Sequence, residues 1–226
     1  MGNPDTRGDP DPGKPDVFDR HASRYDAWYD TALGAVTFAE ELDALQPLLA
    51  GLTHPWLEVG SGSGRFSGAL GAEVGVDPAR CALALAAGRG VHVVTARAET
   101  LPFRDAAFGA VLFVTALCFV ADPLAALLEA RRVLVPDGRI VLGLILAEGV
   151  LGHHYQELAL AGDPFYQRAH FFTRDELSTL FASADLRAVR TRSALFHPPE
   201  GKPSTVFEGY DPTAGFTAML VEVVSQ

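Results

Sequence analysis

The sequence predicts an α/β domain built on a doubly wound, mostly parallel sheet of seven strands with an antiparallel edge strand. Three observations carry this. Short apolar runs alternate with helical stretches between residues 56 and 145, the order that builds a parallel sheet with helices on both faces. The run Gly60-Ser61-Gly62-Ser63-Gly64 follows the first apolar run at once and leads into a helical stretch, a turn that presents backbone N–H groups to a ligand. The chain closes on two strand-like segments, 188–192 and 216–224, with no helix between them, the pattern of an antiparallel pair.

Each element can be justified in order. Residues 1–16 are rich in Pro, Gly and Asp without an apolar stretch, so they read as a disordered tail rather than a signal peptide or anchor. The remainder, 17–226, reads as one domain. Phe38, Leu42, Leu45, Leu48, Leu49 and Leu52 recur at spacings of three and four, which makes an amphipathic helix, and 17–53 supplies N-terminal helices. Strands are expected at 56–59, 74–76, 91–95, 110–115 and 139–145, apolar throughout as strands buried on both faces are. Helices are expected at 65–70, 79–87 and 123–134, the last stopped by Val135-Pro136-Asp137-Gly138. Residues 147–172 read as polar, aromatic and irregular. Thr173 with Glu176 three positions on forms a capping box that opens a helix through 184. The Pro- and Gly-rich stretch 197–211 reads as loop, open between an interface, a second lid and plain surface.

Composition narrows the function classes. A net charge of -10 with only two lysines, Lys14 and Lys202, argues against a nucleic-acid surface, where Lys and Arg dominate. Cys81 and Cys118 lie far apart with no C-x-x-C, so a reduced, cytoplasmic protein is expected. The apolar runs are too short to span a bilayer, and no membrane partner is expected.

The chemistry gathers at the strand ends, where doubly wound sheets bind ligands. Glu58, inside the first apolar run, is misplaced for a pyrophosphate and suits a ligand with hydroxyls or a positive centre. Asp77, ending the second strand, either accepts hydrogen bonds from ribose hydroxyls or, with Pro78, caps the helix that follows. Glu99, after the third strand in Ala98-Glu99-Thr100-Leu101-Pro102-Phe103, either faces the edge of a purine or is a solvated loop acid.

Together these runs resemble the cofactor motifs of class I S-adenosylmethionine-dependent methyltransferases, in the branch of the ubiquinone and menaquinone enzymes. Leu57-Glu58-Val59-Gly60-Ser61-Gly62-Ser63-Gly64, Gly75-Val76-Asp77-Pro78 and Arg97-Ala98-Glu99-Thr100-Leu101-Pro102-Phe103 carry the resemblance. Two later runs, Phe108 to Thr115 and Glu129 to Arg139, extend it. Gly109 departs from it, standing where such proteins often carry Asp. The resemblance implies a Rossmann-like fold and S-adenosylmethionine as cofactor, with S-adenosylhomocysteine as product. It implies that Glu58, Gly60, Ser61, Gly62 and Gly64 hold the methionyl part, Asp77 and Pro78 the ribose, and Ala98 and Glu99 the adenine. Thr115 and Ala116 would wall the sulfonium. In similar enzymes a stretch like Tyr25-Asp26-Ala27-Trp28 forms a helix over the cofactor, which places Tyr25 at the site.

On the acceptor side the sequence is less specific. Residues 147–172 are expected to form a substrate lid, and they hold His153, His154, Tyr155, Tyr166 and His170. His153, His154 and Tyr155 are candidates for general base or substrate orientation. The spacing of His153 and His154 matches no metal motif, so no metal is expected. A small-molecule methyl acceptor is the leading expectation. A non-catalytic cofactor-binding protein stays open. A nicotinamide oxidoreductase is disfavoured because Arg65 stands where G-x-G-x-x-G wants its third glycine and no Tyr-x-x-x-Lys pair exists.

Overall fold

The computed structural model describes residues 17–196 and 205–224; the expected tail over 1–16 and the stretch 197–204 lie outside the described residues. Two helices, α1 (Val17–Trp28) and α2 (Ala32–Leu49), precede the sheet. The first winding is β1 (Trp56–Val59), α3 (Arg65–Leu70), β2 (Val74–Asp77), α4 (Arg80–Gly88) and β3 (His92–Thr95). The second is β4 (Phe108–Val114), α5 (Pro123–Val133) and β5 (Leu134–Leu144). Then follow α6 (Val150–Leu160), α7 (Arg174–Ser183), β6 (Leu186–Ala194), β7 (Phe207–Glu208) and β8 (Phe216–Val223).

The strand order is β3-β2-β1-β4-β5-β8-β6-β7. β1 to β5 pair in parallel, whereas β8 runs antiparallel between β5 and β6, and β7 antiparallel to β6. The chain winds outward from β1 to β3 and returns to β4 on the other side of β1. That reversal opens a crevice beyond the carboxyl ends of β1 and β4.

β4 is buried along its whole length because both its faces are covered. Val111 and Phe113 pack with Leu127 and Ala130 of α5 and with Leu177 and Phe181 of α7. Ala110, Leu112 and Val114 pack with Leu45 and Leu48 of α2 and Phe216 of β8. Gly109 has a structural reason: a Cβ there would lie 1.6 Å from the Thr53 carbonyl oxygen, so the Asp of similar proteins would not fit this backbone.

Three expectations are corrected. The stretch 147–172 is not irregular throughout, since it contains α6. Gly152 sits inside that helix because a side chain would strike the Leu146 carbonyl, 1.9 Å from its Cβ position, and its presence masked the helical reading. The loop 197–211 contains an eighth, two-residue strand, β7, whose Glu208 pairs with Arg190 and Arg192 of β6 at 2.7 and 2.6 Å. β5 begins at Leu134, directly on the end of α5, with Asp137 taking φ 66° inside it. The capping box stands as expected, with Thr173 and Glu176 each accepting the other's backbone N–H. No helix among the described residues is long and apolar enough to cross a membrane.

Candidate active site

The glycine loop is built from backbone outward. Gly60, Gly62 and Gly64 all take positive φ, at 74°, 52° and 75°, which L side chains resist. The Gly60 and Ser61 N–H groups both donate to the Val76 carbonyl, at 2.7 and 3.0 Å, tying the loop to β2. The three glycines have different reasons. A Cβ on Gly60 would stand 2.3 Å from the Ala116 Cβ, and one on Gly64 2.7 Å from the Ala86 Cβ. At Gly62 nothing lies within 4 Å, so that glycine forms the open rim of a cradle that an added Cβ would begin to fill. Ser61 Oγ lies buried against Gly75 with no hydrogen-bond partner among the described residues.

The acids at the strand ends are more internally committed than expected. Glu58 is 1% exposed and accepts from the Ser67 hydroxyl, joining β1 to the first turn of α3. Burial pushes its carboxyl up to about 8 against the opposing pull of Ser67. It is therefore mostly neutral at pH 7, and it lies beneath the loop rather than offering a full charge across it. Asp77 accepts from Gly62 N–H through Oδ2 at 2.9 Å and from Ala79 N–H through Oδ1 at 2.8 Å. One carboxylate thus shapes both the loop and the start of α4, while Pro78 is exposed beside it. Glu99 Oε1 accepts from the Ala121 and Asp122 N–H groups and from Arg97. This binds the loop after β3 to the start of α5. Ala98 is buried next to it.

Thr115 follows directly on β4 with φ 51°, a strained backbone for a β-branched residue. Its N–H donates to the Gly143 carbonyl at 2.7 Å, and its carbonyl accepts from Cys118 Sγ at 3.4 Å. With Ala116 against Gly60, the ends of β1 and β4 meet as the switch point requires.

α1 roofs this crevice. Phe18 and Ala22 pack on Ala79 and Ala82 at the start of α4, and Asp19 accepts from Cys81 N–H at 2.7 Å. The main fastening is Asp26, which accepts from Ser63 Oγ at 2.6 Å, Arg65 Nε at 2.8 Å and Arg89 at 2.9 Å. Burial raises this carboxyl, but the bonds from Arg65, Ser63 and Arg89 outweigh it and hold it at about 2. Arg65 also pairs with Asp30 at 2.8 Å. The arginine that spoils a dinucleotide motif is thus the one that grips the roof helix. Tyr25, one residue before the latch, stands beside Tyr29 and Phe165, with ring centroids 6.1 and 6.0 Å away.

The segment 147–172 meets α1 edge to edge. Phe165 contacts Phe18 and His21, and Tyr166 stacks on Tyr155 at 4.2 Å. The three consecutive candidates of α6 cannot share one face, because successive helical residues are about 100° apart. Tyr155 points into the aromatic group, His154 is half-buried against it at 5.5 Å, and His153 is exposed. His170 lies apart from them, 3.4 Å from Glu176.

Sequence reasoning passed over several residues. Asp26 and Arg89 meet across 63 positions, which no local pattern reveals. Glu129 and Arg132 of α5 clamp the loop after β3: Glu129 accepts from Leu101 N–H, and Arg132 donates to the Leu101 and Phe103 carbonyls. Glu41 of α2 is 4% exposed. A signal for it existed, since Phe38, Glu41, Leu45 and Leu48 form one stripe at helical spacing and put an acid on the face that packs inward.

Comparison with known proteins gives a consistent result. A family model described as a methyltransferase domain matches residues 57–142. An uncharacterised protein of Mycobacterium tuberculosis is 40% identical over 203 residues, 88% of this chain and 71% of that protein. One from Methanocaldococcus jannaschii is 31% identical over 209 residues, 92% of this chain and 99% of that protein. A solved structure from Thermotoga maritima is described as a SAM-dependent methyltransferase and possible histamine N-methyltransferase. It is 32% identical with a TM-score of 0.82, over 91% of this chain and 97% of that one.

Proposed function

The chain belongs to the S-adenosylmethionine-dependent methyltransferases, and from that premise we propose that it methylates a small-molecule acceptor in the cytoplasm. When bound, S-adenosylmethionine supplies a methyl group on a sulfonium sulfur, which a nucleophile takes by in-line displacement.

The residues of this chain fit such a group. The open rim at Gly62 and the backbone of 60–64 would receive the methionyl part, with neutral Glu58 supporting the loop from below. Asp77, already oriented by Gly62 and Ala79, would meet the ribose, and Ala98 with the backbone of Glu99 would border the adenine. Thr115 and Ala116 would flank the reacting sulfur. Their work is to hold and orient, because displacement gains most from alignment and exclusion of water.

The observation that carries the reading is the roof. α1 is latched to the glycine loop through Asp26 and reaches Phe119 and Phe165 through Phe18, so a small acceptor fits the enclosed side of the site better than a macromolecular one. A net charge of -10 weighs in the same direction, against a nucleic-acid acceptor.

The test has two parts. Calorimetry should show S-adenosylmethionine and S-adenosylhomocysteine binding at one site, and absence of both would refute the assignment. Turnover is then measured on amine, thiol, phenol and quinol acceptors. Histamine belongs in that panel because it is named in the description of the Thermotoga protein. Binding without turnover on any acceptor would favour a non-catalytic cofactor-binding protein.

A further inference from the structure

Glu41 does nothing visible for the fold. Among the described residues its Oε2 is buried with no hydrogen-bond partner, a costly state that calls for an explanation. Its surroundings supply one. Tyr25 and Tyr29 of α1 and Tyr155 of α6 all lie within its electrostatic reach. Tyr166 joins them through Tyr155, on which it stacks. Four of the chain's five tyrosines therefore gather about one buried carboxyl.

The gathering is not closed. Tyr25 keeps 42% of its surface open while standing among Tyr29, Glu41, Tyr155 and Cys118. Cys118 lies three residues after Thr115 and bonds to the Thr115 carbonyl, so the group adjoins the end of β4, where the methyl would be delivered. Charge selects the occupant. Arg65 lies 5.6 Å from the Tyr29 ring but is already paired with Asp26 and Asp30. A carboxylate or phosphate acceptor would set its own charge against the buried Glu41 carboxyl, whose Oε2 has no hydrogen-bond partner among the described residues. A cation would favour the ionised form of Glu41, which burial otherwise holds protonated, and would gain both that opposite charge and the π faces of the tyrosines.

Resting on the methyl-transfer reading for its place beside the cofactor, we infer that this cluster receives an amine acceptor whose nitrogen is held by Glu41 and flanked by Tyr25, Tyr29, Tyr155 and Tyr166. Glu41 is a substrate-binding residue whose unmatched oxygen is matched by the substrate's N–H.

The experiment is calorimetry on the full chain saturated with S-adenosylhomocysteine. 2-Phenylethylamine and n-hexylamine are titrated against the neutral isosteres 2-phenylethanol and n-hexanol. At least one amine is expected to bind tenfold or more tighter than its alcohol. Glu41→Gln should remove that preference while leaving S-adenosylhomocysteine affinity within twofold. Glu41→Leu, which replaces the carboxyl with apolar volume, should do the same and guards against a folding failure of the first variant. Amines that bind no better than alcohols, or do not bind, overturn the inference, as does a preference that survives both variants. Failure of S-adenosylhomocysteine itself to bind would strike the methyl-transfer reading instead, so the two are separable.

Discussion

Replacing Asp26 by Asn tests the roof directly. The change keeps the side chain's shape and removes the charge that Ser63, Arg65 and Arg89 share. The fall of its carboxyl from 3.8 to about 2 corresponds to about 2 kcal/mol of stability at neutral pH. Little of this is screened away, since the Asp26 side chain is 13% exposed and those of Arg65 and Arg89 are 16% and 31%. For a domain of this size the loss lowers Tm by about 4–8 °C. The pH dependence has a definite sign. A carboxyl whose folded value lies below its unfolded one stabilises fully above the unfolded value and loses that contribution as pH falls through the folded one. Urea unfolding of wild type and variant, followed by tryptophan fluorescence, should show a gap that is constant from pH 7 to about 5 and roughly halved by about pH 3. Hydrogen exchange should show α1 amides opening more readily in the variant. A gap below about 0.5 kcal/mol at pH 7, or one of undiminished size at pH 3, would refute the latch.

Three further outcomes are expected. Gly60→Ala should destabilise the protein through the Ala116 contact, whereas Gly62→Ala should cost only about 1–2 kcal/mol for its left-handed backbone yet weaken S-adenosylhomocysteine binding at least tenfold, as calorimetry and thermal melts can separate. The Glu41 carboxyl, pushed from 4.5 up to about 8 by burial and by Glu40, binds its proton more tightly when folded. Its contribution therefore falls as pH rises from 4.5 to 8, and Glu41→Gln should gain stability over wild type across that window, by up to about 3 kcal/mol near pH 7; denaturant titrations at pH 5 and 8 would expose a gain of the opposite slope. Exposed His153 should be dispensable, with His153→Ala leaving kcat/KM within twofold on whichever acceptor turns over.

The legible part of this protein was local. Positive φ at Gly60, Gly62 and Gly64 and strands buried on both faces are demands that neighbouring residues state for themselves, so the sheet, its switch point and the cofactor loop could be read directly. Asp77 was legible as an acid at a strand end, whereas its bonds to the Gly62 and Ala79 N–H groups place it in the turn before α4, whose N-cap is Ala79. What escaped depended on partners brought together by folding. The tie from Glu99 to the Ala121 and Asp122 N–H groups escaped because nothing nearby in sequence shows those partners. The adjacent candidates His153, His154 and Tyr155 could be ranked only once α6 existed to point one inward and one to solvent. Sequence by itself determined the doubly wound sheet and the glycine loop at its switch point, since backbone conformation and burial pattern are properties of short segments. The tertiary structure alone decided that Asp26 would latch the roof across the glycine loop and that Glu41 would be left unmatched among four tyrosines. Side chains from α1, α2, α6 and the segment that follows α6 share no sequence period, and only the packed fold sets the distances between their charges.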